Sequence, residues 1–131
     1  MSKENVALVR EIVDALNRQD LDAAMGLAAP DAVYDLSRTE SPMRGVYRGL
    51  DEVRRVAEEF YEPWSSMNYE ARELIEVGDH VVMPYTSRFV GRHGVELTAD
   101  ATWVFTLRGG AFTRLALYQT LDDAMEAARS A

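Results

Sequence analysis

Between residues 67 and 120 the chain carries four runs, near 67–77, 80–90, 95–107 and 111–120, rich in Val, Ile, Phe, Tyr, Trp and Thr. Gly78-Asp79, Gly91-Arg92-His93-Gly94 and Gly109-Gly110 separate them at hairpin lengths. The pattern predicts an antiparallel meander. The first half reads differently: Val6, Val9, Ile12, Val13 and Leu16 recur at helical spacing, predicting an amphipathic helix from about 4 to 18 with Arg10, Asp14 and Asn17 on its wet side. Asp20 reads as the N-cap of a second, short helix in "LDAAMGLAA", where Leu21, Ala24, Met25 and Ala28 share a stripe that Pro30 ends. A short strand follows in "PDAVYDLSR", and residues 38–49, "RTESPMRGVYRG", read as turns. A third helix starting near Asp51 carries Leu50, Val53, Ala57, Phe60 and Tyr61 inward until Pro63 stops it. The last helix, Leu121 to about Ala128, has Thr120 as its cap with Asp123 three residues on. Helices gathered on one face of a long antiparallel sheet make an α+β domain.

At 131 residues the chain is the size of one domain, 1–131, with length enough for one core. Its 22 acidic against 14 basic side chains leave a net charge of −8, which repels nucleic acid and anionic lipid alike. No run approaches the ~20 apolar residues of a membrane span. The opening "MSKENVALVR" carries charges where a secretory signal needs an apolar stretch, and the absence of cysteine removes disulfides, thiolate metal sites and a cysteine nucleophile. A cytoplasmic protein without nucleic-acid or membrane partners is the expectation.

The element order, with "EIVDALNRQDLDAAMGLAAPDAVYD" at the front and "ATWVFTLRGGAFTRLALYQTLDDAMEA" at the back, resembles the SnoaL-like group of the nuclear-transport-factor-2-like superfamily. The resemblance covers nearly the whole chain. It implies a cone-shaped, curved antiparallel sheet packed on the N-terminal helices, a cystatin-like α+β barrel, with a deep apolar pocket and commonly a homodimer through the outer sheet face. Val104 and Tyr118, apolar in the phase opposite Trp103 and Leu117, favour the dimer from the residues themselves. The superfamily holds polyketide cyclases, ketosteroid isomerases, epoxide hydrolases and dehydratases beside non-catalytic ligand binders and scaffolds, so fold alone does not select among them.

Two of those chemistries lack their residues. The isomerase tyrosine and oxyanion acid align with Ile12 and Ala101, and the epoxide-hydrolase Asp, Arg and Asp align with Thr86, Pro84 and Leu117. Asp35 is then the candidate base, able to take a proton beside a carbonyl if burial raises its pKa. Strand alternation puts Tyr34 and Leu36 on one face and Val33, Asp35 and Ser37 on the other, so Asp35 faces either the pocket or solvent. Tyr34 is a candidate for orienting a substrate carbonyl, against plain core packing. Gln119, in the phase of Leu115 and Leu117, is a candidate donor to a ligand carbonyl or to nearby backbone. Trp103 and Phe105 share a strand face at the pocket floor, as core residues or as ligand contacts. Trp64 either closes over a ligand at the mouth or packs there as an ordinary core residue, and Arg88 pairs with an acidic group on a ligand, pairs with Asp35, or meets solvent. His80 and His93 stand in or beside turns without a ligand-spaced partner, so no metal is implied, and Arg108-Gly109-Gly110 is a lone hairpin turn without the strand-to-helix setting of a phosphate loop, so no nucleotide cofactor is implied.

The leading expectation is a pocket for a small apolar organic ligand, with cofactor-free cyclisation, isomerisation or dehydration of a carbonyl compound. Binding without turnover and a dimeric scaffold are the alternatives.

Overall fold

A computed structural model describes residues 2–39 and 42–130 of the chain. Its elements run α1 (Ser2–Asn17), α2 (Leu21–Met25), β1 (Ala28–Asp35), β2 (Val46–Arg48), α3 (Leu50–Tyr61), β3 (Trp64–Ala71), β4 (Ile75–Val77), β5 (His80–Gly91), β6 (Glu96–Arg108), β7 (Ala111–Tyr118) and α4 (Leu121–Ser130). Local signals account for the helix ends. Asp20 accepts from the Ala23 amide at 3.0 Å, and Thr120 Oγ1 accepts from the Asp123 amide at 3.1 Å, each satisfying an orphan donor of a first turn. Pro63 sits two residues past α3.

One sheet holds all the strands, in the order β2-β1-β7-β6-β5-β3, with β4 also on β5. The long meander is antiparallel, closed between β6 and β7 by Gly109 and Gly110 at φ +60° and +79°, the left-handed pair that a tight two-residue hairpin demands. The β1–β7 pairing is parallel, so the sheet is mixed. Register breaks in the β1–β7, β3–β5 and β6–β7 pairs bend it around the helices, and its end strands β2 and β3 do not meet.

The parallel β1–β7 contact departs from the wholly antiparallel sheet that the sequence predicts, and α4 packs on the face opposite the other helices; three smaller details depart as well. Pro30 does not end α2; it lies inside β1, at the irregular stretch between Ala28 and Val33 where a strand tolerates a missing N–H. Part of the turn-rich segment, Val46–Arg48, pairs with β1 as a short strand, whereas residues 40 and 41 lie outside the described residues. The run 67–77 is two strands laid end to end along β5.

The sheet separates two cores. On the inner face Val9, Ile12, Val13 and Leu16 of α1 and Val53 of α3 pack on Met83, Tyr85, Trp103, Phe105 and Leu115. Burial of each large side chain there contributes roughly 1.5–3 kcal/mol. On the outer face α4 lays Ala124 and Ala128 over Val82, Val104, Ala116 and Tyr118. The apolar outer residues that suggested a homodimer are therefore covered by the chain's own last helix. Among the described residues no helix is long and apolar enough to cross a membrane.

Candidate ligand chamber

Below α1, α2 and α3 the inner face of the sheet encloses a small chamber of about 30 Å³, walled by Ile12, Met25, Tyr34, Tyr61, Trp103 and Leu115 among others. A larger cleft of about 260 Å³ adjoins it, sharing Leu16, Leu21 and Tyr61 as walls. Trp64, Glu58, Glu62, Gln19 and Arg92 complete this mouth. Two contacts fix its rim: Arg92 Nε donates to the Glu62 carbonyl at 2.7 Å, and Gln19 Nε2 donates to the Ser65 carbonyl at 3.2 Å.

The polar groups of the chamber wall are phenols and one indole. No carboxylate, histidine, lysine or arginine lines it among the described residues. Tyr61 and Tyr69 join hydroxyl to hydroxyl at 2.7 Å, and Tyr69 and Tyr85 flank Trp103 with ring centroids 4.5 and 4.7 Å away. Asn17 clamps the backbone of Tyr69 from α1, accepting from its amide at 2.7 Å and donating to its carbonyl at 3.0 Å. Burial pushes the Tyr61 phenol up to about 12 and raises Tyr34, Tyr69 and Tyr85 as well, through desolvation first and their mutual proximity second. These groups hold their protons at neutral pH. They are hydrogen-bond donors and acceptors there, not bases. The Trp103 Nε1–H is buried and has no protein acceptor among the described residues, a condition that costs about 1–3 kcal/mol when nothing else supplies one.

The residues singled out from sequence scatter. Tyr34 lines the chamber, as does Trp103, and Trp64 lines the mouth, its ring 5.2 Å from Phe89. Phe105 is fully buried beside Trp103, edge-on at 5.6 Å, behind the wall. Asp35 is turned to the other side of the sheet. Its carboxylate accepts from the Ser37 amide at 2.9 Å and the Ser37 hydroxyl at 2.5 Å and pairs with Arg114 of β7. Tyr34 and Asp35 thus occupy opposite faces, as strand alternation requires of neighbours, and it is the Tyr34 face that meets the chamber. Arg88 is exposed on the outer phase of β5, where its Nε donates to Glu96 at 3.1 Å. Gln119 lies beyond the last residue of β7, exposed, since that strand ends at Tyr118.

Sequence alone did not single out Tyr61, Tyr69, Tyr85 or Arg114. Tyr69 and Tyr85 alternate in phase with apolar partners such as Met67 and Met83, and Tyr61 ends the inward stripe of α3, so all three read as packing. Arg114 becomes Asp35's partner only through the parallel β1–β7 pairing, which sets it opposite Val33.

A SnoaL-like domain model matches residues 9–115. No curated protein matches the chain. Among solved structures, TerC co-crystallized with polyporic acid is 19% identical over 98% of this chain and 99% of its own, with a TM-score of 0.77. An NTF2-like protein of unknown function from Burkholderia pseudomallei is 23% identical over 98% of each chain at 0.78. A putative SnoaL-like polyketide cyclase from Shewanella denitrificans is 13% identical over 94% and 97% at 0.76. At these identities the likeness establishes the fold.

Proposed function

The chain belongs to the family of SnoaL-like domains, and on that premise we propose that it encloses a small, largely apolar carbonyl compound in the chamber and its mouth, without a cofactor. The observation that carries this reading is the wall itself. It is aromatic and aliphatic with a few neutral phenol and indole groups, which suits an apolar ligand carrying few polar atoms. Names of structural neighbours agree in kind: one is a putative polyketide cyclase and another was crystallised with polyporic acid.

Binding comes first and turnover second. General-base chemistry wants a group whose pKa lies near the working pH, and the chamber's phenols are far above it. A specific observation favours a limited form of turnover nonetheless. Tyr34 lines the chamber, and a neutral phenol there can stabilise charge developing on a substrate oxygen. Isomerisation or dehydration of a substrate with its own acidic C–H fits that arrangement; a mechanism with Asp35 as base does not. Calorimetric titration with a panel of bicyclic ketones tests the reading. Saturable binding by the wild type, weakened in Tyr34→Phe, is expected, and a panel that produces no heat and no shift in melting temperature contradicts it.

A further inference from the structure

Beyond the end of β7 one side of β6 is bare. Thr102 pairs with Tyr118, the last residue of β7, so from Glu96 to Ala101 the strand has β5 on one side and, among the described residues, no strand on the other. The phase of the ladder decides which backbone groups are left over. The Gly91 amide donates to the Val95 carbonyl at 2.6 Å and the Leu107 amide to the Asp79 carbonyl at 3.0 Å, so the odd-numbered residues of β6 turn their backbone groups to β5. The N–H and C=O groups of Glu96, Thr98 and Asp100 therefore point to the open side, in a stretch where residues 96–100 are all exposed.

Other edges of the sheet are blunted. On β3 the Asn17 side chain takes both backbone groups of Tyr69 and Gln19 takes the Ser65 carbonyl, while β2 and β4 are three residues each. The β6 edge has none of these devices. It carries no proline or lysine, the β5–β6 register runs without a bulge, and its two carboxylates are occupied on the outer phase, Glu96 by Arg88 and Asp100 by the Thr86 hydroxyl. In the opposite phase stand Val95 and Leu97, at 66% and 46% the two most exposed large apolar residues among those described.

We propose that this edge receives a second copy of the chain: β6 pairs antiparallel with β6 about a two-fold axis at Leu97, and the two sheets become one. The side chains select the register. About Leu97, Leu97 meets Leu97, Val95 meets Ala99 and Glu96 meets Thr98, so apolar residues cover one another; about Thr98, Glu96 would face Asp100, carboxylate against carboxylate. The outer face that α4 covers takes no part, and the pairing is independent of the ligand chamber.

Sedimentation equilibrium of the intact protein tests this. Wild type is expected to be dimeric at about 100 µM, because an interface built on one strand pair is small and of micromolar affinity. Leu97→Lys and Thr98→Pro, the second removing an N–H turned to the open side, should each weaken the dimer at least about tenfold with the circular dichroism spectrum unchanged. If Thr98→Pro fails to fold, Leu97→Lys, at a site exposed in the single chain, decides alone. The chain has no cysteine, so cysteine variants report the register. Opposed residues of a non-hydrogen-bonded pair lie about 4.5 Å apart between Cα atoms, within disulfide range, so oxidised Leu97→Cys should form a covalent dimer faster than Thr98→Cys. A monomeric wild type at that concentration, a dimer that Leu97→Lys leaves intact, or faster cross-linking of Thr98→Cys overturns the proposal.

Discussion

Arg114 on β7 holds the carboxylate of Asp35 on the outer side of the sheet, one residue along from Tyr34, whose ring enters the chamber on the inner side. The pair crosses from one strand to its parallel neighbour, and Asp35 also closes a local turn through Ser37. Asp35→Asn keeps an acceptor for Ser37 and removes the charge facing Arg114. It should destabilise the fold by about 1–3 kcal/mol, as expected when a buried carboxylate that pairs with a part-exposed arginine loses its charge, and leave ligand affinity unchanged. Denaturant melts at neutral pH and a binding titration of the variant check both halves. Lost binding with unchanged stability would return Asp35 to the pocket.

Two phenol-to-phenyl substitutions should separate in sign. Tyr61→Phe deprives the buried Tyr69 hydroxyl of its 2.7 Å partner and should cost about 1 kcal/mol. Tyr34→Phe removes a hydroxyl from an aromatic wall and should be neutral or stabilising, while it weakens ketone binding several-fold. Melting temperatures and affinities measured on the two variants side by side decide the matter. Equal destabilisation by both would mean that Tyr34 carries a structural hydrogen bond.

Alkaline titration should expose the buried phenols. Their folded-state pKa values lie above the unfolded value of about 10, so above that pH the native chain retains protons that the unfolded chain has released. The stability they contribute is whole below about pH 10 and declines as pH rises toward the folded value, about 12 for Tyr61. Urea midpoints should therefore fall over this window, and less steeply in Tyr61→Phe. Identical slopes in the two proteins would contradict the burial of that phenol.

Much of the fold was legible because it rests on local patterns. The stripe from Val6 to Leu16, the caps at Asp20 and Thr120 and the glycine pairs between strands are each readable within a few residues, and each stands where expected. What escaped depends on pairing between distant segments. The parallel β1–β7 contact sets Asp35 beside Arg114, and α4 folding onto Val104 and Tyr118 explains apolar residues that otherwise asked for a second subunit. The walls of the candidate chamber were half legible for the same reason. Tyr34, Trp103 and Trp64 follow from strand phase and helix end, whereas Tyr61 meets Tyr69 only once α3 is packed on the sheet.

The chain contains two isoleucines, and the fold places them on opposite sides of the sheet: Ile12 in the chamber wall, Ile75 beside α4. A methyl spectrum of isoleucine-labelled protein, recorded while α-tetralone is added, locates the ligand directly. The account predicts a saturable shift of the Ile12 methyl with Ile75 stationary. A shift confined to Ile75, or no shift of Ile12 at ketone concentrations that saturate binding, would contradict it.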